Sequence, residues 1–269
     1  MKHLFLTDRL DEMDIESDTT HLLMAEAGRR GHEVIREDYF SDVDVSGFDV
    51  VWVRKDPPVD EAYISRMKEL AEVEGPFFVN DPAAILKYGD KMMIFDYPAI
   101  IADTAVTSDS DTVNAFIREH GKAVVKPLNS FSGIGVELYK KPNYEGTEEV
   151  MVQEYLPNVT AGDTRVHVAG GEVIGALLRV PQAGDFRGNI HAGGTAVKAD
   201  LDDDLLEKVE AVAGTLMGKG IFFAGLDFID GRLNEVNTTS PGVIRETNAV
   251  SGDLLEVKLF DILEKHVRV

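Results

Sequence analysis

Apolar positions in this chain fall into short runs that switch between a strand period and a helix period. HLFLTD (3–8) is a compact run of strand length. THLLMAEAGRRG (20–31) has helical spacing, with Asp18, Thr19 and Thr20 as candidate N-caps and Gly31 as a stop. HEVIRED (32–38) resumes a strand and completes a βαβ unit. DVVWVRKDPP (49–58) supplies a further buried strand that ends at Arg54, Lys55 and Asp56 before two prolines. Open parallel sheets bind ligands beyond the carboxyl ends of their strands. On spacing alone, however, the plainer reading of these charges is a solvated strand exit. Residues 61–74 are helical in spacing, and FFVND (77–81) is a strand closed by Pro82.

A second region opens at GDKMMIFD (89–96). KAVVKPLNSFSGIGVELYKK (122–141) reads as strand, glycine-bearing loop, strand, and MVQEYLP (151–157) as a strand ended by proline. DTRVHVAGGEVIGALLRVP (163–181) forms a hairpin around Gly170 and Gly171. It leads into a loop, QAGDFRGNIHAGG (182–194), then a helix near 203–218. A second hairpin joins Leu226–Ile229 to Leu233–Val236 through Asp230 and Gly231, and a helix near 252–266 closes the chain. There is no repeat, low-complexity tract or long linker.

The second hairpin carries acids inside apolar strands. Burying a carboxylate is costly unless it is paired or holds a metal, although a solvated face would also tolerate it. Alternation puts Glu235 and Asn237 on one face. A strict two-residue turn pairs Asp227 with Asn234 and sends Glu235 to the opposite face. An odd-numbered loop, or a bulge at the glycine, unites Asp227 with Glu235. The united set is all-oxygen and suits Mg²⁺ that takes its other ligands from water and phosphate. No neighbouring His or Cys suggests zinc.

Charge sharpens this picture. Forty-eight acids against 27 bases give a net charge of −21, which argues against nucleic acid and anionic membranes as partners. An anionic ligand would need the scarce bases gathered locally. The chain has no cysteine, so disulfides and thiolate chemistry are excluded. No apolar run approaches the roughly 18 residues a span requires, and the acidic amino terminus is not a secretory signal. A soluble cytoplasmic protein is expected. KPLNSFSGIG is neither a Walker A loop nor GxGxxG, and leaves a pliable backbone beside Lys126 that is otherwise an ordinary hairpin loop. The 182–194 loop has four glycines in 13 residues and reads as a lid, to which Arg179, Arg187, Asn189 and His191 would bring anion contacts. Asp163 and Arg165, on a strand, could equally be surface decoration.

Taken together, these segments resemble the prokaryotic glutathione synthetases of the ATP-grasp superfamily. The likeness runs in order through RKDPP, VNDP with DKMMIF, VVKPL and its loop, QEYLP, GDTRVHV, LLRVPQAGDFRGNIHAGG and FAGLDFIDGRLNEVNTTSPGVIRE. The resemblance implies a multi-lobe α/β and α+β fold, an amino-terminal α/β domain followed by a two-part ATP-grasp domain. The implied limits are 1–88, a lid-bearing part 89–155 and a catalytic part 156–269. It implies that Lys91 and Lys126 contact the ATP phosphates under a loop containing Ser132, Gly133 and Gly135. Gln153, Glu154, Tyr155 and Leu156 would hold adenine, and Asp163 would lie near the ribose. Asp227, Glu235 and Asn237 would hold two Mg²⁺ ions, with Mn²⁺ as a substitute. Arg165, Arg179 and Asn237 would be catalytic. Arg187, Asn189, Gly193, Gly194 and Ser240 would surround the peptide substrate.

The implied reaction is ATP-dependent ligation of γ-glutamylcysteine to glycine through an acyl phosphate, by a homo-oligomer. A peptide ligase with another donor or amine is the alternative, and a non-catalytic nucleotide-binding scaffold a third. Three features depart from the family: NSFSGIG replaces an acid followed by Gly-Met-Gly-Gly, VNDPAAILKYGDK lacks an arginine and asparagine before the lysine, and residues 40–48 lack an insertion.

Overall fold

The computed structural model describes residues 1–8, 18–56, 59–129, 134–185, 188, 190 and 193–267. Its amino-terminal part alternates strands and helices: β1 (Lys2–Thr7), α1 (Thr19–Arg29), β2 (Glu33–Asp38), β3 (Val50–Arg54), α2 (Glu61–Ala71), β4 (Phe77–Val79) and α3 (Pro82–Tyr88). The four strands are parallel in the order β2-β1-β3-β4. Helices on both faces explain why β1 and β3 read as unbroken apolar runs. Asp18, Asp60 and Asp81 each cap a helix by accepting a backbone N–H. The order reverses between β1 and β3, and open parallel sheets bind ligands beyond the carboxyl ends of strands at such a reversal. There Lys55 pairs with Asp8 at 2.6 Å, and the Asp56 N–H donates to Asp8 at 2.7 Å.

A small antiparallel sheet follows, built from β5 (Thr104–Thr107), α4 (Ser110–His120), β6 (Ala123–Pro127), β7 (Glu137–Tyr139) and β8 (Val150–Glu154). Its order is β5-β8-β6-β7, and α4 covers one face with Val113 and Ile117 packed on Val125 and Val152. The carboxyl-terminal part contains β9 (Asp163–Ala169), β10 (Glu172–Val180), β11 (Thr195–Lys198), α5 (Asp203–Leu216), β12 (Phe223–Ile229), β13 (Arg232–Asn237), α6 (Ile244–Ser251) and α7 (Leu255–Val267). Its antiparallel sheet has the order β11-β10-β9-β12-β13.

Alternation gives that sheet two unlike faces. Val166, Val168, Ala224, Leu226 and Val236 bury against Val209, Val212 and Leu216 of α5. On the other face, Ala169 and Phe223 join a core that also contains Phe5, Leu23 and Trp52 from the amino-terminal sheet and Leu259, Phe260 and Leu263 from α7. The first and third sheets therefore share one core, whereas the small sheet has its own. Asn80 strengthens the join. Its buried carboxamide accepts from the Phe222 and Phe223 N–H groups at 2.8 and 2.7 Å, and donates to the Phe223 and Thr238 carbonyls at 2.7 Å each.

Residues 90–101 lie against the large sheet. The Val236 N–H donates to the Asp90 carbonyl at 3.1 Å and the Leu233 N–H to the Ile100 carbonyl at 2.8 Å. Met93 and Ile94 bury in the α5-side core, so this stretch flanks the large sheet and the small sheet starts at Thr104. The sequence pattern also leaves out α3, α4, α6, β5 and β11, and starts the last helix a few residues early. Among the described residues no helix is long and apolar enough to cross a membrane.

Candidate active site

The charged half of the large sheet is a grid set by strand register. Arg165 on β9 lies opposite Asp227 on β12, and Asp227 lies opposite Glu235 on β13. Two residues along β9 in one direction, Arg179 of β10 faces Asp163, and two residues in the other, Gly225 lies between His167 and Asn237. Asp227 and Glu235 thus share a face, but not through the expected change at the glycine. The turn keeps two residues, Asp230 and Gly231, both at positive φ, and the register shift falls between Asp227 and Phe228. Since Phe228 pairs with Leu233 and Asp227 with Glu235, the extra residue is Asn234. Bulges re-aim side chains. Here the Asn234 carboxamide oxygen accepts from Lys126 Nζ at 2.8 Å.

Four ionic groups interlock on this grid. Arg165 grips Asp227 with two N–H donors, the Nη2 contact being 2.8 Å. Arg179 donates to both oxygens of Asp163, at 2.7 and 2.8 Å, and reaches Asp227 at 2.9 Å. Asn237 Nδ2 adds a bond to Asp227 at 3.1 Å. These bonds spend the roughly four lone-pair positions of a carboxylate. Burial alone would raise the Asp227 pKa, yet the two guanidinium groups outweigh it and hold the carboxyl below its usual range. Neighbouring glycines make room. A β-carbon at Gly225 would lie 2.9 Å from Arg165 Cδ, and one at Gly188 would lie 2.8 Å from both the Arg179 carbonyl and Asp163 Oδ1.

Two lysines face the acids. Lys126, buried at the end of β6, donates to Gln153 Oε1 at 2.7 Å as well as to Asn234, and burial pulls its pKa down to about 8. Lys91 approaches Glu235 at 3.7 Å. Burial raises the pKa of Glu235, with Asp227 and Asp90 adding to the effect and the lysines opposing it. Asp90 also fixes the segment after β13. Its Oδ1 accepts from the Thr238 N–H at 2.8 Å and the Thr238 hydroxyl at 2.9 Å. Ser240 donates its hydroxyl to Asp56, tying this segment to the exit of β3.

At the end of β8 the Glu154 N–H is spent on the Asp103 carbonyl at 2.9 Å, and the Leu156 carbonyl accepts from Val159 at 3.1 Å. The Leu156 N–H has no protein acceptor among the described residues. The Tyr155 ring stacks under Lys122 Nζ at 5.5 Å. Asp163, expected near a ribose, has both oxygens committed to Arg179. Gly135 and Gly193 both have positive φ; a β-carbon at Gly193 would meet the Gln182 side chain, and Gly194 precedes β11. Ser132, Gly133, Arg187, Asn189 and His191 lie outside the described residues.

Sequence reasoning missed Asn234, Asp90, Gly225 and Gly188, whose importance depends on what a distant strand brings alongside. Among the described residues, one trio of His and acidic side chains has metal-ligand spacing: Asp103, His120 and Glu154, on the outer side of the small sheet. It is separate from Asp227 and Glu235. The latter pair with Asn237 supplies oxygen donors alone, which fits a hard divalent cation and no thiophilic one.

Residues 90–252 match the family described as prokaryotic glutathione synthetase, ATP-grasp domain, and residues 1–39 and 35–85 match its N-terminal domain. A glutathione synthetase of Gloeobacter violaceus is 33% identical over 317 aligned positions, covering 100% of this chain and 98% of that protein. One from Nitrosomonas europaea is 30% identical and covers 99% and 98%. Among solved structures, the D-cycloserine synthetase DcsG aligns with a TM-score of 0.74 at 17% identity, covering 98% of this chain and 99% of that one. The ATP-grasp ligase PsnB, complexed with a minimal precursor, aligns at 0.68 and 17% identity, covering 97% and 98%. Identity this low bears on the fold alone, an ATP-grasp arrangement preceded by an α/β unit.

Proposed function

Since the chain belongs to the prokaryotic glutathione synthetase family, we propose that it joins γ-glutamylcysteine to glycine at the expense of ATP. It is an ATP-dependent carbon–nitrogen ligase. The observation that carries the ATP-dependent reading is the bridge from Lys126 on the small sheet to Asn234 on the large one, beside the Arg165–Asp227–Glu235 row. That bridge sets basic groups from one side of a crevice against acids from the other, which is what a metal nucleotide requires.

The γ-phosphoryl group of ATP passes to an oxygen of the donor carboxylate, leaving ADP and an acyl phosphate. The amine nitrogen then attacks the acyl carbon, the carbon–oxygen bond to phosphate breaks, phosphate departs with the electron pair, and the amine loses a proton. Such transfers need positioning and charge neutralisation rather than a protein nucleophile. Lys91 and Lys126 supply fixed positive charge for the phosphates, with Lys126 held by two neutral oxygens and so unspent on any acid. The Leu156 N–H is a donor for the adenine edge. Glu235, Asn237 and Asp227 would hold two Mg²⁺ ions, replaceable by Mn²⁺, and these offset phosphate charge when bound. Asp227 can join that set only by letting a guanidinium go. A released Arg165 or Arg179 then has N–H donors for a phosphate or acyl oxygen.

The test is ADP release by purified protein with Mg²⁺. Release should require γ-glutamylcysteine and glycine together, and the product should have the mass of glutathione. Release that needs a different acid, or that ignores glycine, overturns the substrate assignment.

A further inference from the structure

Among the described residues three arginines are buried, and their surroundings differ. Arg165 and Arg179 are clasped by carboxylates. Arg54, 6% exposed at the end of β3, is not. Its Nε donates to the Thr20 hydroxyl at 3.2 Å and its Nη1 to the Pro241 carbonyl at 3.0 Å. Both acceptors are neutral, and no carboxylate among the described residues pairs with it. A guanidinium has five N–H donors, so three remain unspent. Burial pulls the Arg54 pKa down, and Asp56 and Asp18 oppose this only through space. Among the described residues no carboxylate touches the guanidinium.

The location is one where sheets of this kind bind ligands. Arg54 stands at the carboxyl end of β3, next to β1, where the strand order reverses. Thr20 lies in the first turn of α1, whose amino end favours negative charge. Pro241 follows Ser240, on the segment leading from the Glu235–Asn237 site. Pro241 is four positions after Asn237, so their α-carbons are at most about 14 Å apart.

Resting on the ligase reading above, we propose that Arg54 binds the carboxylate of the acyl donor remote from the one that is activated, the α-carboxylate of the γ-glutamyl group. The two carboxyl carbons of γ-glutamylcysteine span about 9 Å when extended, which suits a reach from the Asn237 region to the β3 exit. A planar guanidinium can take such a carboxylate with two parallel N–H bonds, a geometry lysine lacks. Arg54 is then a specificity residue, selecting donors with a second carboxylate and remaining apart from the phosphoryl chemistry.

The experiment crosses two proteins with two donors. Wild type and Arg54→Lys are each assayed by ADP release with γ-glutamylcysteine and with 4-aminobutyrylcysteine, which lacks only the α-carboxylate. In wild type, removing that carboxylate should lower kcat/KM roughly 10- to 100-fold, as for losing a charge-assisted hydrogen bond. Arg54→Lys should lose a comparable factor on γ-glutamylcysteine and little on the analogue, with ATP affinity unchanged. Equal losses on both donors would mean that Arg54 only supports the fold, and would overturn the inference. So would a wild type indifferent to the analogue's missing carboxylate. If wild type releases no ADP with γ-glutamylcysteine and glycine, the substrate reading falls and takes this inference with it.

Discussion

Acidification should weaken the protein through one buried histidine chain, whose hydrogen bonds fix the direction of the effect. Trp52 Nε1–H donates to His3 Nδ1 at 3.0 Å, so that nitrogen carries a lone pair. His3 Nε2 is then the donor to His32 Nδ1 at 2.7 Å, and His32 Nε2 the donor to Glu264 at 3.1 Å. Every proton in the relay is assigned by its neighbours, and the relay exists only while both rings are neutral. Burial, reinforced by His32 and the amino terminus, lowers the His3 pKa from 6.5 to about 4. A base whose folded pKa is depressed stabilises fully above its unfolded value, and that contribution is lost as pH falls from 6.5 towards 4. At 1.36 kcal/mol per unit, the loss is at most about 3 kcal/mol. The chain has a single tryptophan, and it is the residue bonded to His3. Urea unfolding followed by its fluorescence, at several pH values between 7 and 4.5, measures the effect. The His3→Gln variant should be less stable at pH 7, but its stability should fall less steeply on acidification. Subtracting the two curves removes the titrating groups that do not touch the relay, including buried His167, and leaves His3 with its coupled neighbour His32. Parallel curves would refute the argument.

Three further outcomes follow from the site and the interlobe join. Glu235→Gln should cut ADP release roughly 100-fold or more while leaving the urea midpoint in place, because a charged oxygen ligand becomes neutral. Gly225→Ala should lower turnover without unfolding the protein, since the new methyl must push Arg165 off β12; unchanged kcat would show that Arg165 need not lie there. Asn80→Ala strands two N–H groups and two carbonyls in the core, and should cost about 3 kcal/mol in urea unfolding.

Much of this architecture was legible in local pattern. The parallel sheet followed from apolar runs broken by Asp-capped helices, and the 163–181 hairpin from its glycine pair. What was not legible depended on distant partners. Whether Asp227 and Glu235 share a face turned on a bulge at Asn234, and that residue is held by Lys126, 108 positions away. α6 begins at Val243 in a left-handed conformation with no side-chain cap, so no start signal exists to be read. α4 is different, because Asp109 and Gly121 do mark its ends. Arg54 was legible as a strand exit, but its lack of a carboxylate partner depends on how α1 and the Pro241 segment fold around it.

The core shared by β1, β3 and α7 has a bearing on how the chain is made. Phe5 and Trp52 are synthesised well before Phe260 and Leu263, which cover them. Until α7 is made, one face of the first sheet has no permanent cover and is open to wrong partners, the condition in which nascent chains depend on chaperones. Completion of this lobe therefore waits for α7, and a polypeptide cut short before Leu255 would keep its earlier-made sheet sticky.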